Sequence, residues 1–82
     1  MSHFKERTAI VTGGASGIGK SLAQQLIANG ANVLIADIAG SESAARELGC
    51  SGIELDVTDQ GAVQRCIDDF ARAQGRLDYM FN

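Results

Sequence analysis

The chain has 82 residues, 45% hydrophobic and 21% charged, a composition typical of a soluble globular protein, although short for a domain that buries a parallel sheet on both faces. Seven basic and ten acidic residues give a net charge of −3, with few aromatics, which argues against nucleic-acid binding. No apolar run approaches the roughly 18 residues of a membrane span, and the charged start does not resemble a signal peptide, so we expect a cytoplasmic protein without a membrane partner.

Strand and helix signals alternate along the chain. The β-branched run "RTAIVT", Arg7 to Thr12, predicts a first strand that ends at glycines. A first helix follows, ended by Asn29-Gly30, with apolar residues at helical spacing at Ile18, Leu22, Leu26 and Ile27. "NVLIAD", residues 32–37, predicts a second strand, followed by a second helix from about Ser41 to Leu48 that Gly49 caps.

The second half of the chain repeats this alternation. "GIELDVT", residues 52–58, predicts a third strand, and Thr58 is the predicted N-cap of a third helix that ends before Gly75. The apolar positions of that helix are Val63, Ile67, Phe70 and Ala71. "LDYMF", residues 77–81, predicts a fourth strand. The alternation predicts an α/β fold, a Rossmann-like doubly wound parallel sheet with the strand order 3-2-1-4.

The cysteines give no sign of a metal or disulfide site. Cys50 and Cys66 are not in a C-x-x-C arrangement, and the single histidine, His3, does not complete a zinc set. We predict two reduced structural thiols and no metal.

The stretch "TGGASGIGKS", residues 12–21, fits two phosphate-binding patterns. From Gly14 to Ser21 it reads G-x-x-x-x-G-K-S, the pattern of an ATP- or GTP-binding P-loop, and from Thr12 it reads T-G-x-x-x-G-x-G, a dinucleotide-binding turn. A P-loop would keep Ile18 in the loop, yet Ile18 is in phase with the helix. This phase favours a helix that begins near Ser16 or Gly17, with Lys20 pointing to solvent.

The dinucleotide interpretation gives each glycine a role. Gly13 would make the turn, Gly17 would allow the backbone to approach a pyrophosphate, and Gly19 would let the helix pack near the strand. Asp37 lies 18 residues beyond Gly19, near the spacing expected of a ribose-binding carboxylate, whereas a P-loop protein would need Asp37 or Asp56 to hold magnesium. A P-loop and a purely structural βαβ connection both stay open.

These residues together resemble the short-chain dehydrogenase/reductase family. "TGGASGIG" is similar to the family's T-G-x-x-x-G-x-G turn, "DVT" at residues 56–58 to the segment after its third strand, and "LDYMFN" to the lead-in to its N-N-A-G sequence. The resemblance covers nearly the whole chain. It implies that residues 1–82 are the N-terminal, NAD(H)-binding part of an oxidoreductase that interconverts alcohols and carbonyls by hydride transfer.

The resemblance also implies site roles. Asp37 would bind the ribose hydroxyls, the Asp56 carboxylate the adenine amino group, and the Val57 backbone N–H the adenine ring. The Ile18 N–H would help to hold the pyrophosphate, and the Ile38 side chain would line the adenine pocket.

The expected cofactor is NAD rather than NADP. Asp37 would repel a 2′-phosphate, and Ser16 and Ile38 stand where NADP-preferring relatives often carry arginine. Ser16 is therefore a further candidate cofactor-binding residue. Asn82 resembles the first position of N-N-A-G, which braces the central sheet in the family, but it is equally an ordinary strand-terminal asparagine.

No catalytic residue is predicted within this chain. The family's serine, tyrosine and lysine come well after strand four. Tyr79 sits in a predicted strand and its i+4 position would be residue 83, beyond these 82 residues, so we interpret Tyr79 as a packing residue. The 82 residues alone are expected to be marginally stable or self-associating and to lack turnover. We expect the complete protein to be a homo-oligomer that acts on a small alcohol or carbonyl, with a non-catalytic NAD-binding module as the alternative.

Overall fold

The fold is a parallel sheet with helices on both faces. The computed structural model describes residues 7–13 and 17–81. Within these ranges the elements are β1 (Thr8–Thr12), α1 (Gly17–Ala28), β2 (Asn32–Asp37), α2 (Ser41–Leu48), β3 (Ser51–Glu54), α3 (Gln60–Gln74) and β4 (Tyr79–Phe81). All strand pairs are parallel in the order β3-β2-β1-β4, which confirms the predicted topology.

Both faces of β1 and β2 are buried, which explains their near-continuous apolar sequences. Helices α1 and α2 cover one face, where the buried residues are Ala9, Val11, Ala23, Leu26, Ala31, Val33, Ile35, Ala44 and Ala45. Helix α3 covers the other face, where the buried residues are Ile10, Leu34, Ala36, Leu55, Cys66 and Phe70. None of the helices in the described ranges is long and apolar enough to cross a membrane.

The third strand and the start of α3 differ from the prediction. Strand β3 ends at Glu54 rather than Thr58, because the chain turns there and the Asp59 N–H bonds to the Asp56 carbonyl oxygen at 3.0 Å. The N-cap of α3 is Asp59, whose Oδ1 accepts the Ala62 N–H at 3.1 Å. The prediction of Thr58 as the cap was wrong, since the Thr58 hydroxyl is bonded to Asp56 instead.

Strand β4 begins at Tyr79, two residues later than predicted, because Asp78 is turned toward β1. Its carboxylate accepts bonds from the Thr8 N–H at 2.9 Å, the Arg76 Nη2 at 2.7 Å and the Arg7 Nη1 at 3.3 Å. The Thr8 hydroxyl donates to the Arg76 carbonyl oxygen at 2.7 Å. This group of Arg7, Thr8, Arg76 and Asp78, the Asp78 cluster, joins the starts of β1 and β4.

Candidate cofactor site

The predicted cofactor residues meet at the carboxyl edge of the sheet, where the parallel strands end. The Gly13 N–H donates to the Ala36 carbonyl oxygen at 2.8 Å, and the Leu55 N–H donates to the Asp37 carbonyl oxygen at 2.7 Å. These two bonds place the turn after β1 beside the end of β2, and the end of β2 beside the segment that leads to Asp56. Gly13, Asp37 and Asp56 therefore follow one another along this edge.

Gly13, just after β1, and Gly17, at the start of α1, leave room for a ligand next to the backbone. Gly13 has φ +69°, a left-handed conformation that costs other residues about 1–2 kcal/mol, and a Cβ there would meet nothing within 4 Å. Helix α1 begins at Gly17, and a Cβ at that position would also meet nothing within 4 Å. Because backbone N–H groups at a helix start attract anions, the open space beside Gly13 and Gly17 fits a pyrophosphate.

The start of α1 distinguishes the two patterns read from the glycine turn. The helix begins at Gly17, as predicted, three residues before Lys20. The prediction that Lys20 points to solvent was wrong: its Nζ lies 2.7 Å from the Glu47 Oε2 on α2, and 31% of the side chain is exposed. A P-loop lysine must reach the nucleotide phosphates, whereas this ammonium is paired with the neighbouring helix, which disfavours the P-loop.

Residues 18 and 19 occupy the first turn of α1. The Ile18 side chain is 90% exposed, so the packed face of the helix begins at Leu22 rather than at Ile18. The helical phase was predicted correctly, but the first turn does not reach the core. Gly19 is half-buried, and its role in packing the helix against β1 stays a prediction.

Two exposed apolar side chains follow the adjacent strands β2 and β3. Asp37 ends β2, is half-buried, and its Oδ1 accepts the Ile38 N–H at 2.7 Å. The Ile38 side chain is 69% exposed, and Val57, three residues beyond the end of β3, is 52% exposed. Apolar side chains left in water beside acidic ones are suited to a flat base linked to polar sugar hydroxyls.

The Asp56 carboxylate is held at one of its oxygens. Its Oδ1 accepts the Thr58 hydroxyl at 2.6 Å and the Thr58 N–H at 2.9 Å, and no donor to Oδ2 is found in the described part of the chain. The Thr58 hydroxyl and then the Thr58 N–H lower the pKa of Asp56, so the group is ionised at neutral pH. Sequence analysis missed this role of Thr58, although Asp-x-Thr spacing is typical of a turn closed by an Asp side chain.

The remaining candidates lie elsewhere or outside the structure. Ser16 and Asn82 are not among the described residues, so their roles stay predictions. Tyr79 stacks on Phe81 with ring centroids 6.1 Å apart, but its side chain is 38% exposed, so its role as a packing residue stays a prediction. Cys50 and Cys66 are not bonded to each other, and burial raises the pKa of both thiols. Over residues 7–13 and 17–81, no group of three or more His, Cys, Asp or Glu side chains could hold a metal ion.

A half-open cavity lies away from this edge. It has a volume of about 360 Å³ and lies at the amino edge of the sheet, where the strands begin, with Asn32, Cys50 and Ser51 among its lining residues. The candidate cofactor site is instead an open surface, formed by Gly13, the start of α1 and the segments after β2 and β3.

Comparison with known proteins identifies the family. The sequence profile of the short chain dehydrogenases matches residues 7–82. The chain belongs to this family. It is 39% identical over 80 residues to a sorbitol dehydrogenase of Cereibacter sphaeroides, covering 93% of this chain and 31% of that enzyme. It is 42% identical over 80 residues to a 2-dehydro-3-deoxy-L-rhamnonate dehydrogenase (NAD(+)) of Sphingomonas sp. (strain SKA58), covering 94% of this chain and 32% of that enzyme.

A solved structure agrees with the assignment to this family. The chain is similar to a citronellol catabolism dehydrogenase of Pseudomonas aeruginosa PAO1, with a TM-score of 0.87 and 30% identity over 94% of this chain and 35% of that one. The chain thus spans about a third of the length of the relatives it matches.

Proposed function

We propose that residues 1–82 are the N-terminal, NAD(H)-binding part of an oxidoreductase that interconverts alcohols and carbonyls by hydride transfer. The observation that carries this proposal is the line of Gly13, Asp37 and Asp56 along the carboxyl edge, joined by the Gly13–Ala36 and Leu55–Asp37 backbone bonds. Family membership supports it, as does the relative whose name includes NAD(+).

Each part of this edge suits one part of the dinucleotide. Backbone N–H groups at the start of α1, including that of Ile18, would bind the pyrophosphate beside Gly13. The Asp37 carboxylate would accept bonds from the ribose hydroxyls. Ile38 and Val57 would contact the adenine, and Asp56 would accept a bond from its amino group.

The bound cofactor would supply the hydride chemistry, so the task of these residues is to bind and orient it. Because the relatives are about three times as long, we place the groups that handle the alcohol proton in a part of the protein other than residues 1–82. A small alcohol or carbonyl substrate, a homo-oligomeric state and a cytoplasmic location belong to the same proposal.

A matched pair of glycine variants tests the site. Gly13 at the carboxyl edge and Gly49 at the end of α2 have φ +69° and +77°, and a Cβ at either position meets nothing within 4 Å. Gly13→Ala and Gly49→Ala should therefore carry similar strain, about 1–2 kcal/mol. We expect Gly13→Ala alone to weaken NAD binding, by about tenfold or more, because its methyl group occupies the space that the pyrophosphate approaches.

The measurement is calorimetric titration of NAD into the purified wild type and both variants, with thermal melting to compare their stability. Gly49→Ala should change NAD affinity less than about twofold, since its methyl group lies far from the proposed site. Absence of saturable NAD binding by the wild type, or equal losses in both variants, would contradict the proposal.

A further inference from the structure

The Thr58 hydroxyl lies in the turn between β3 and α3 but does not cap the helix. Asp59 caps α3 by accepting the Ala62 N–H, and the Asp59 N–H closes the turn on the Asp56 carbonyl oxygen. The Thr58 hydroxyl lies next to the cap but donates to the Asp56 Oδ1 at 2.6 Å, the shortest of the hydrogen bonds found at this turn. Thr58 therefore acts on a carboxylate rather than on the helix start.

Two donors from one residue restrict the Asp56 side chain. An exposed aspartate normally samples several rotamers, and ordering it on ligand binding costs free energy. Here the Thr58 hydroxyl and N–H both bond to Oδ1, which fixes the carboxylate before any ligand arrives. The backbone is also fixed just before it, since Leu55 is buried and its N–H bonds to the Asp37 carbonyl oxygen.

The second carboxylate oxygen of Asp56 can accept a hydrogen bond from a ligand. Oδ2 of Asp56 has no donor among the described residues, and the Asp56 side chain is exposed at the carboxyl edge. The neighbouring Val57 contributes exposed apolar surface in the same turn. An ionised oxygen held in place beside apolar surface is suited to an N–H donor on the rim of an aromatic base.

We propose that Thr58 is a positioning residue for base recognition, which orients Asp56 so that Oδ2 accepts a hydrogen bond from the exocyclic amino group of the adenine. This inference rests on the proposed function, because it requires NAD at the carboxyl edge. It adds a consequence for specificity: the site distinguishes a 6-amino purine from a 6-keto purine, whose keto oxygen would face the carboxylate and be repelled.

The experiment compares NAD with nicotinamide hypoxanthine dinucleotide, which differs at that position of the base. Both are titrated into the purified wild type, Thr58→Val and Thr58→Ser. We expect the wild type to prefer NAD by about tenfold, as for one hydrogen bond to a charged group. Thr58→Val removes the hydroxyl at nearly constant volume and should reduce the preference below about threefold, whereas Thr58→Ser should restore it.

A control separates positioning from general stability. Thr8→Val removes a hydroxyl of the Asp78 cluster at the opposite edge, where it donates to the Arg76 carbonyl oxygen at 2.7 Å and lies 3.3 Å from the Asp78 Oδ2. Its loss should lower the melting temperature and leave the NAD preference unchanged. If Thr58 were only structural, Thr58→Val would weaken both dinucleotides equally and keep their ratio.

The outcomes distinguish this inference from the function on which it rests. If the wild type binds neither dinucleotide, the proposed function and this inference are both overturned. A wild type that prefers NAD, with a Thr58→Val variant that keeps the full preference, would overturn only the role of Thr58. Should Thr58→Val fail to fold, Thr58→Ala replaces it, and unfolding of both would show that Thr58 is a structural residue and overturn the inference.

Discussion

The two edges of the sheet use aspartate in different ways. At the amino edge, Asp78 has a side chain only 14% exposed and accepts bonds from Arg7, Thr8 and Arg76, two of which lie about 70 residues away in sequence. At the carboxyl edge, the Asp56 side chain is exposed, and the donors to it found among the described residues both bond to one oxygen, from Thr58 two residues away. A carboxylate surrounded by distant donors holds the fold together, whereas one fixed locally and open on its other side can accept a ligand.

The largest effect is expected at Asp37, the second acid of the carboxyl edge, which tests whether this edge binds the cofactor. The 2′-phosphate of NADP placed about 4 Å from this carboxylate would be repelled by roughly 4 kcal/mol at an effective dielectric near 20. Solvent relaxes part of this repulsion because Asp37 is only half-buried. We therefore expect the wild type to bind NAD about a hundredfold tighter than NADP, and Asp37→Ser to reduce the difference below about tenfold.

Titration of both cofactors into the purified protein measures this preference. Asp68→Ser is the control, since Asp68 lies on the exposed surface of α3 and its carboxylate accepts a bond from Gln64. That variant should keep the wild-type ratio. Equal affinities of the wild type for NAD and NADP would contradict the assignment of Asp37 to the ribose.

The opposite edge should respond to acid rather than to cofactor. The Arg76 side chain, the Thr8 N–H and the Arg7 side chain hold the pKa of Asp78 far below its usual range. Because the pKa is lower in the folded state, the stabilisation is fully present above the unfolded-state pKa of about 4 and is lost as the pH falls below it. Asp78→Asn should lower the melting temperature by several degrees at pH 7 and flatten its decline between about pH 5 and 3.

Thermal melting from pH 7 to pH 3 tests this prediction, with Asp68→Asn as the control for loss of a surface carboxylate. NAD affinity at pH 7 should change less than about twofold in Asp78→Asn, since the variant site is at the far edge of the sheet. An Asp78→Asn protein as acid-sensitive as the wild type would show that this cluster does not hold β1 to β4.

The sequence predicted the features that depend on local pattern. The strand order, the start of α1 at Gly17 and the bounds of α2 follow from apolar periodicity and from glycines at helix ends, and the structure confirms them. The predicted N-cap of α3 was wrong because Thr58 and Asp59 are both residue types that cap helices well. The Asp56 carboxylate accepts the Thr58 hydroxyl, which leaves Asp59 to cap the helix. The exposure of Ile18 was missed because helical phase does not reveal where a helix extends past the sheet.

Contacts between distant residues were not visible in these patterns. Arg7 and Asp78 are 71 residues apart, and Lys20 and Glu47 are 27 apart. One signal was available for the first pair. In the order 3-2-1-4, strands β1 and β4 are parallel neighbours, so charged residues that come just before each strand lie at the same edge of the sheet and close to each other. No comparable signal points to Glu47, because the angular position of α2 about its axis relative to α1 is set by packing of Ala44 and Ala45 in the core.

The smallest expected effect is at Lys20, which lies near the carboxyl edge but is paired with another helix. The Lys20–Glu47 pair is partly exposed, and such pairs contribute about 0–1 kcal/mol. We expect Lys20→Ala to change NAD affinity less than about threefold, and Glu47→Ala to lower the melting temperature about as little as Lys20→Ala does. Titrations with NAD and with Mg-ATP make this the decisive test between the two patterns of the glycine turn. If the protein bound Mg-ATP tighter than NAD and Lys20→Ala abolished that binding, Lys20 would be a phosphate ligand, and the assignment of the carboxyl edge to a dinucleotide would be wrong.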